Sequence, residues 1–360
     1  QTGMRPLRTE NSPAMIIRLS DHIISPLGEG TLPNYQAVIA GRSALRLHTD
    51  MFASVEPFMA SLFPERPHFT DLCIRSAQAA VRDAGIDAAA PDVVLILSTT
   101  KGDDLDLLTP AHTIAHALGC VNPPVVVSNA CTSGVCAQIT AQRLLMTKQY
   151  RTAIVVGCDV QTRFIVSGFQ SFKALSQDEC RPFDAARKGL NLGEAAATII
   201  LRYTAQPPAN SWVLEAGSIH NDANHISGPS RTAEGSLRCL LDVKGNADDL
   251  AFVSVHGTGT LYNDDMESVA IQRAGLGSIS VTGLKGYYGH TMGAAGVLET
   301  LLGMQAVEHN TIVGVRGFST PGTKEAVNIS ALHRPTAKHS FIKLLSGFGG
   351  VNAAIRWARQ

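Results

Sequence analysis

The chain reads as an α/β protein. Two observations carry this. Apolar runs rich in β-branched residues show no polar alternation, as in strands buried on both faces. Segments of helical pattern separate them, and the succession of strands occurs twice. The length of 360 residues exceeds the ~250–300 at which one core stops growing. Two domains or one double-cored unit are therefore expected.

In order, the first strand is expected at Met15–Asp21 and a helix at Phe69–Ala84. Strands follow at Val93–Ser98, Pro124–Ser128 and Ala153–Val156, then at Ala195–Arg202. The turn-rich Ala205-Gln206-Pro207-Pro208-Ala209-Asn210 marks the best boundary. The second series restarts at Trp212–Ser218, continues through Phe252–Val255 and Ser278–Thr282, and closes at Ile342–Leu345. These boundaries give a first half over 15–205 and a second over 206–360, with residues 1–14 as an N-terminal tail or remnant. No short sequence repeat links the halves, which leaves a structural duplication open.

Composition bounds the function. Hydrophobic residues make up 45% and charged residues 17%, enough for a large core. Thirty basic and thirty acidic residues balance, which argues against a nucleic-acid partner while leaving room for a small basic patch facing an acidic protein. Seven cysteines, an odd number without a CxxC pair, argue against a disulfide framework and a zinc site, so reduced thiols in the cytoplasm are expected. Residues 1–14 lack the apolar stretch of a signal peptide, and no apolar run nears the ~20 residues of a membrane span.

Four segments carry candidate chemistry. In Val125-Val126-Val127-Ser128-Asn129-Ala130-Cys131-Thr132-Ser133-Gly134-Val135, a strand delivers a thiol to a tight turn at a helix start. A helix N-terminus favours the anion, so Cys131 is expected closer to thiolate than a free cysteine of pKa about 8.5. A buried cysteine serving as a small hydrophobe is the plain alternative. In Ser254-Val255-His256-Gly257-Thr258-Gly259-Thr260, a strand ends at His256 and enters a loop where backbone approaches a ligand closely, or else a turn with a structural imidazole. Gly283 to Gly296 places Lys285 and His290 on a glycine-rich loop leading into a helix of small residues. In Leu345-Ser346-Gly347-Phe348-Gly349-Gly350, glycines flank an aromatic whose neighbouring amides can bind an oxyanion, or form an ordinary turn.

Together and in this order, the four segments resemble the β-ketoacyl-acyl carrier protein synthases, the elongating condensing enzymes of the thiolase superfamily. Arg181-Pro182-Phe183-Asp184 and Gly193-Glu194 complete the pattern, which runs from about Ser25 to Asn352. The resemblance implies a five-layer αβαβα core built from two duplicated halves. It assigns Cys131 as nucleophile, His256 and His290 as donors to an enolate, and Lys285 as the residue that orients His290 or balances charge. It puts Glu267 in a network with Lys285, though Glu267 and Asp264 equally read as carboxylates capping a helix start. It makes the Phe348 amide part of an oxyanion hole and its ring a gate. Thr258 and Thr260 match the pantetheine-binding positions, Phe169 the acyl pocket, and His225 the mouth.

The implied reaction is condensation of malonyl-acyl carrier protein with a Cys-bound acyl chain, in fatty acid or polyketide synthesis, without metal or organic cofactor. The implied partners are an acyl carrier protein and a second subunit, identical or related. Ser346 stands where many members carry an aromatic, which is expected to open the pocket. A degradative thiolase would need a second catalytic cysteine near the C-terminus, and the last cysteine is Cys239. A non-catalytic chain-length subunit, acting as heterodimer partner, would lack the nucleophile. A Cys/His hydrolase would lack the second histidine loop.

Overall fold

The computed structural model describes residues 14–53 and 55–360, so the tail expected over residues 1–14 lies outside the described residues except for Ala14. A 12-stranded sheet runs through the molecule. The first half contributes β1 (Met15–Ser25), β2 (Val93–Ser98), β3 (Val125–Val127), β4 (Thr152–Asp159) and β5 (Ala195–Thr204). The second contributes β6 (Trp212–Asn221), β7 (Leu250–Ser254), β8 (Ser280–Thr282), β9 (Asn328–Ile329), β10 (Ser340–Gly347) and β11 (Val351–Arg359). A two-residue strand, Gly28–Glu29, pairs with β1.

The spatial order is β9-β8-β7-β10-β11-β6-β1-β5-β4-β2-β3. Outward from the β1/β6 junction, where Ile17 faces Val213, the halves read β1-β5-β4-β2-β3 and β6-β11-β10-β7-β8. The pairing directions repeat too. β2 is parallel to β3 and β4, as β7 is to β8 and β10, while the other pairs of each series are antiparallel. The duplication is thus one of topology.

Helices complete the layers; α2 (Leu108–Leu118) follows β2, and α4 (Arg163–Ser171) follows β4. α1 (Phe69–Ala84) lays Phe69, Leu72, Cys73, Ala77 and Ala80 against Leu95, Leu97, Ile154 and Val156 on one outer face. It stops at Gly85, whose φ of 60° is left-handed. On the other outer face, α5 (Glu234–Val243) and α6 (Leu261–Arg273) pack on Val253, Ile342 and Leu344. Between the two halves of the sheet lie α3 (Ser133–Met146) and α7 (Ala295–Glu308), sharing one core with strands of both halves. Both helices are dominated by small and apolar residues, as buried helices are. They touch backbone to backbone, since a Cβ on Gly134 would stand 2.8 Å from the Gly296 Cα. The result is the five-layer αβαβα arrangement expected from the sequence.

Most strands stand where the apolar runs place them. The closing strand β11 was not expected, because Asn352 and Arg356 interrupt its apolar run. Arg356 is nevertheless buried, its Nε donating to Glu215 at 2.7 Å. The segments with candidate chemistry leave the C-terminal ends of β3, β7, β8 and β10, the edge at which α/β sheets bind ligands.

Candidate active site

Cys131 follows β3 through a strained turn. Ala130 holds φ at 47°, a left-handed value unusual for a residue with a Cβ. Three side-chain bonds hold it there: Thr132 Oγ1 donates to the Asn129 carbonyl at 2.7 Å, Ser133 Oγ to the Ala130 carbonyl at 2.6 Å, and Asn129 N–H to Ser133 Oγ at 2.8 Å. α3 begins two residues after the thiol. The turn that follows β10 lies directly on it, with an ideal Cβ at Gly347 only 3.3 Å from the Cys131 nitrogen.

His256 leaves β7 on a loop whose amides converge on two buried carboxylates of α6. Glu267 accepts from His256 N–H at 2.6 Å and Gly257 N–H at 2.7 Å. Asp264 accepts from Thr258 and Gly259, both at 3.1 Å, and from Phe183 N–H at 2.8 Å. Burial pushes Asp264 up to about 6 and Glu267 up to about 7, against the pull of these amides. Neither carboxylate caps its own helix, where no side-chain cap bond is made. They cap the histidine loop instead.

His290 arrives from β8 and crosses between halves. Its N–H donates to the Asn191 carbonyl at 2.7 Å, and its carbonyl accepts from Gly193 at 2.9 Å. Met292 N–H donates to His290 Nδ1 at 3.3 Å, which leaves the ring proton on Nε2. That Nε2 is buried without a partner, as is His256 Nδ1. Beyond it, Gly293 N–H donates to Asp159 Oδ2 at 2.7 Å, anchoring the loop to β4.

The structure brings Cys131, His256 and His290 together. One ligand atom from each lies within 4.8 Å of the others, and the imidazole rings meet edge to face with centroids 5.0 Å apart. Such a trio could also gather a soft metal ion, and it is the only cluster of this kind among the described residues. Both imidazoles are held well below the ordinary range, by burial first and then by the nearby Lys285 charge. They are neutral at pH 7.

The expected shift of Cys131 toward thiolate is overturned. The residue is 5% exposed, and burial pushes its thiol up to about 11. Lys285 and the backbone N–H groups of Phe348 and Cys131 pull it back only in part, while Asp159 adds to the rise. Proximity to a helix start does not offset the loss of water around the anion.

The lysine network also differs from expectation. Lys285 Nζ donates to Glu299 Oε1 at 2.6 Å, and neither Glu267 nor His290 is its hydrogen-bond partner. Its action on His290 is through charge. Glu299 on α7 and Lys343 on β10, bonded at 2.5 Å, escaped sequence reasoning. Their signal was present, as single charges in otherwise apolar segments, where burial demands a partner.

A cavity of about 430 Å³ opens onto the trio. Thr258 and Thr260 line it with their hydroxyls 2.9 Å apart, and His225 lines it near the outside. Phe348 packs on Phe169 and on Phe172, each with centroids 5.4 Å apart, forming its aromatic wall. Ser346 does line the cavity, but its hydroxyl is engaged, donating to Asn352 Oδ1 at 2.8 Å beside Ser236. Ser236, Ser346 and Asn352 form a polar cluster at this point. Arg181 and Asp184, singled out in the sequence, stand outside the trio and clamp Ser319 and Thr320.

Comparisons with known proteins bear on the family of the chain. Residues 51–206 match the family model described as β-ketoacyl synthase, N-terminal domain, and residues 211–319 the one described as β-ketoacyl synthase, C-terminal domain. Nodulation protein E of Rhizobium meliloti is 29% identical over 67% of this chain, and the match spans 63% of that relative, less than two thirds of its length. The 3-oxoacyl-[acyl-carrier-protein] synthase 2 of Coxiella burnetii is 26% identical over 94% of this chain and 96% of its own. A ketosynthase solved in complex with its chain length factor, from Xenorhabdus doucetiae, superposes with a TM-score of 0.86 at 22% identity, covering 96% of this chain and 98% of that one. Two family models in sequence, spanning well over half of the residues, leave one assignment: the chain belongs to the β-ketoacyl synthase family.

Proposed function

We propose that this protein catalyses decarboxylative Claisen condensation of malonyl-acyl carrier protein with an acyl chain held on Cys131, yielding a 3-oxoacyl-acyl carrier protein. The observation that carries the reading is the convergence of one thiol and two neutral imidazoles at the end of a cavity. Cys131 attacks the acyl thioester, its proton passing to a neutral imidazole and on to the departing carrier thiolate. His256, whose tautomer no hydrogen bond fixes, is suited to that transfer. The carbonyl oxygen is held by the Cys131 and Phe348 amides, donors of a kind worth about 2.7–4 kcal/mol each in acyl transfer.

Malonyl-carrier protein then loses carbon dioxide. The enolate oxygen takes hydrogen bonds from His290 Nε2–H and His256, and its carbon attacks the acyl-enzyme. Expulsion of Cys131 thiolate completes the turnover, and one proton is taken up to restore the thiol. No metal or organic cofactor is required, because the thioester carries the carbanion. Thr258 and Thr260 hold the pantetheine arm, Phe348 gates the two substrates, and Phe169 lines the acyl side. Lys285 balances charge, and Asp264 and Glu267 hold the loop.

We assign the substrate carrier as an acyl carrier protein and the assembly as a dimer, homomeric or with a related subunit. The solved ketosynthase paired with a chain length factor supports the second possibility for this chain. The intact trio argues against a purely non-catalytic partner. No helix among the described residues is long and apolar enough to cross a membrane, and we place the reaction in the cytoplasm, where carrier-bound acyl chains are made. The test is carbon dioxide release from malonyl-carrier protein by His256→Ala and His290→Ala. Both should lose at least tenfold, about 1.4 kcal/mol of transition-state stabilisation. Unchanged release in both would reject the assignment.

A further inference from the structure

The cavity has walls of two kinds. Phe169, Phe172 and Phe348 give it an aromatic face, while Ser346 and Asn352 give it a polar one. Ser346 lies near the end of β10 and pairs with Asn352 across the hairpin. The next residue, Gly347, rests on Cys131, so the serine stands one residue from the contact with the nucleophile. The steps above give this polar wall no role.

The hydrogen bonds of the cluster fix what Ser346 offers to the cavity. Asn352 Nδ2 donates to the Gly350 carbonyl at 3.1 Å, and a carbonyl only accepts, so the orientation of the amide is settled. Asn352 Oδ1 then accepts from Ser346 Oγ at 2.8 Å and from Ser236 Oγ at 2.7 Å. Each hydroxyl commits its single proton there, and the 3.2 Å contact between the two serine oxygens is left without one. What Ser346 turns to the cavity is therefore lone pairs without a proton. Asp222 lines the same cavity, and its carboxylate is an acceptor too, taking Asn224 N–H at 3.3 Å and Ser230 N–H at 3.4 Å. An ideal Cβ at Gly350 would stand 2.6 Å from Asp222 Oδ1, so this carboxylate lies against the loop that carries Phe348.

We propose that Ser346 is a specificity-determining residue, accepting a hydrogen bond from a hydroxyl that the substrate carries within a few atoms of the reacting thioester. The substrate class is then a hydroxylated acyl or malonyl unit on the carrier protein. The inference rests on the condensing reading, because it concerns the substrate of that same cavity. A site built to pair with a substrate hydroxyl discriminates against the analogue that lacks it. A keto group would set lone pairs against lone pairs. An ammonium would enter beside Lys285 and Lys343, two cations that share the one carboxylate of Glu299. A hydroxyl fits where these do not.

The hydroxyl belongs either to the acyl chain on Cys131 or to the extender, and paired competitions separate the two. Butyryl- and 3-hydroxybutyryl-carrier protein compete for Cys131, read as the two adducts by intact mass. Malonyl- and hydroxymalonyl-carrier protein then compete for the acyl-enzyme, read as the two condensation products. One hydroxylated unit should win by about 2- to 12-fold, the equivalent of one neutral hydrogen bond. Ser346→Ala should bring that ratio to about one, since a methyl group cannot accept. Should that variant not fold, Ser346→Cys, whose sulfur is a weak acceptor, is read instead. Ser236→Ala removes a bond from the same cluster behind the cavity wall and should keep the preference. Ratios near one for both pairs, in a wild type that condenses butyryl and malonyl units, would overturn this proposal and leave the functional reading standing. A wild-type preference kept in Ser346→Ala, or lost equally in Ser236→Ala, would overturn it as well. Failure of every unit to acylate Cys131 or to condense would overturn the functional reading, and this inference with it.

Discussion

The protonation state of Cys131 gives the sharpest prediction, because sequence position and three-dimensional burial disagree about it. With the thiol at about 11, roughly 0.03% is thiolate at pH 7.5. A free cysteine at about 8.5 would be roughly 10% ionised at the same pH. The anion is the nucleophile, so alkylation of Cys131 by iodoacetamide should be slow at neutral pH. Its rate should climb about tenfold per pH unit from 7 to 10 without levelling, as expected below a thiol's pKa. The assay is timed labelling read by peptide mass spectrometry, with Cys131→Ala as background for the half-buried Cys120. A plateau below pH 8 would mean a resting thiolate–imidazolium pair. That would refute both the burial argument and the neutral histidines.

Other perturbations have worked-out signs. Glu267→Gln keeps one loop amide satisfied but turns an N–H toward the other, losing a charge-assisted bond of about 1.5–3 kcal/mol. Turnover should fall roughly 10- to 150-fold, and wild-type turnover would mean the loop is held otherwise. Gly134→Ala drives a methyl into the Gly296 backbone and should lower stability by about 1–3 kcal/mol in urea unfolding; an unchanged midpoint would show that the central helices can part. Thr258→Val should raise KM for the carrier-bound acyl substrate about 2- to 12-fold, the equivalent of one neutral hydrogen bond of about 0.5–1.5 kcal/mol. A changed kcat with unchanged KM would remove Thr258 from the pantetheine path.

Much of this fold is legible in the chain because its strands are buried on both faces. Val93–Ser98 and Phe69–Ala84 are bounded in the structure as the apolar run and the helical pattern place them. Strand β11 is not legible, since Asn352 and Arg356 look like surface residues until their partners are in place. The nucleophile and both histidines sit in short motifs at strand ends, where glycine and small residues announce a turn. Their support does not. Glu299 and Lys343 are 44 residues apart, and only the β10–α7 contact makes a pair of them. The Cys131 thiol illustrates the same limit: a helix start is local and readable, while the removal of water that outweighs it is a property of the assembled layers.

Intact-protein mass spectrometry tests the central claim most directly. Incubation with acyl-carrier protein should add one acyl group to Cys131, and malonyl-carrier protein should then discharge it as a 3-oxoacyl-carrier product with release of carbon dioxide. Cys131→Ala should do neither. An acyl adduct elsewhere, or 3-oxoacyl product formed by Cys131→Ala, would contradict the account.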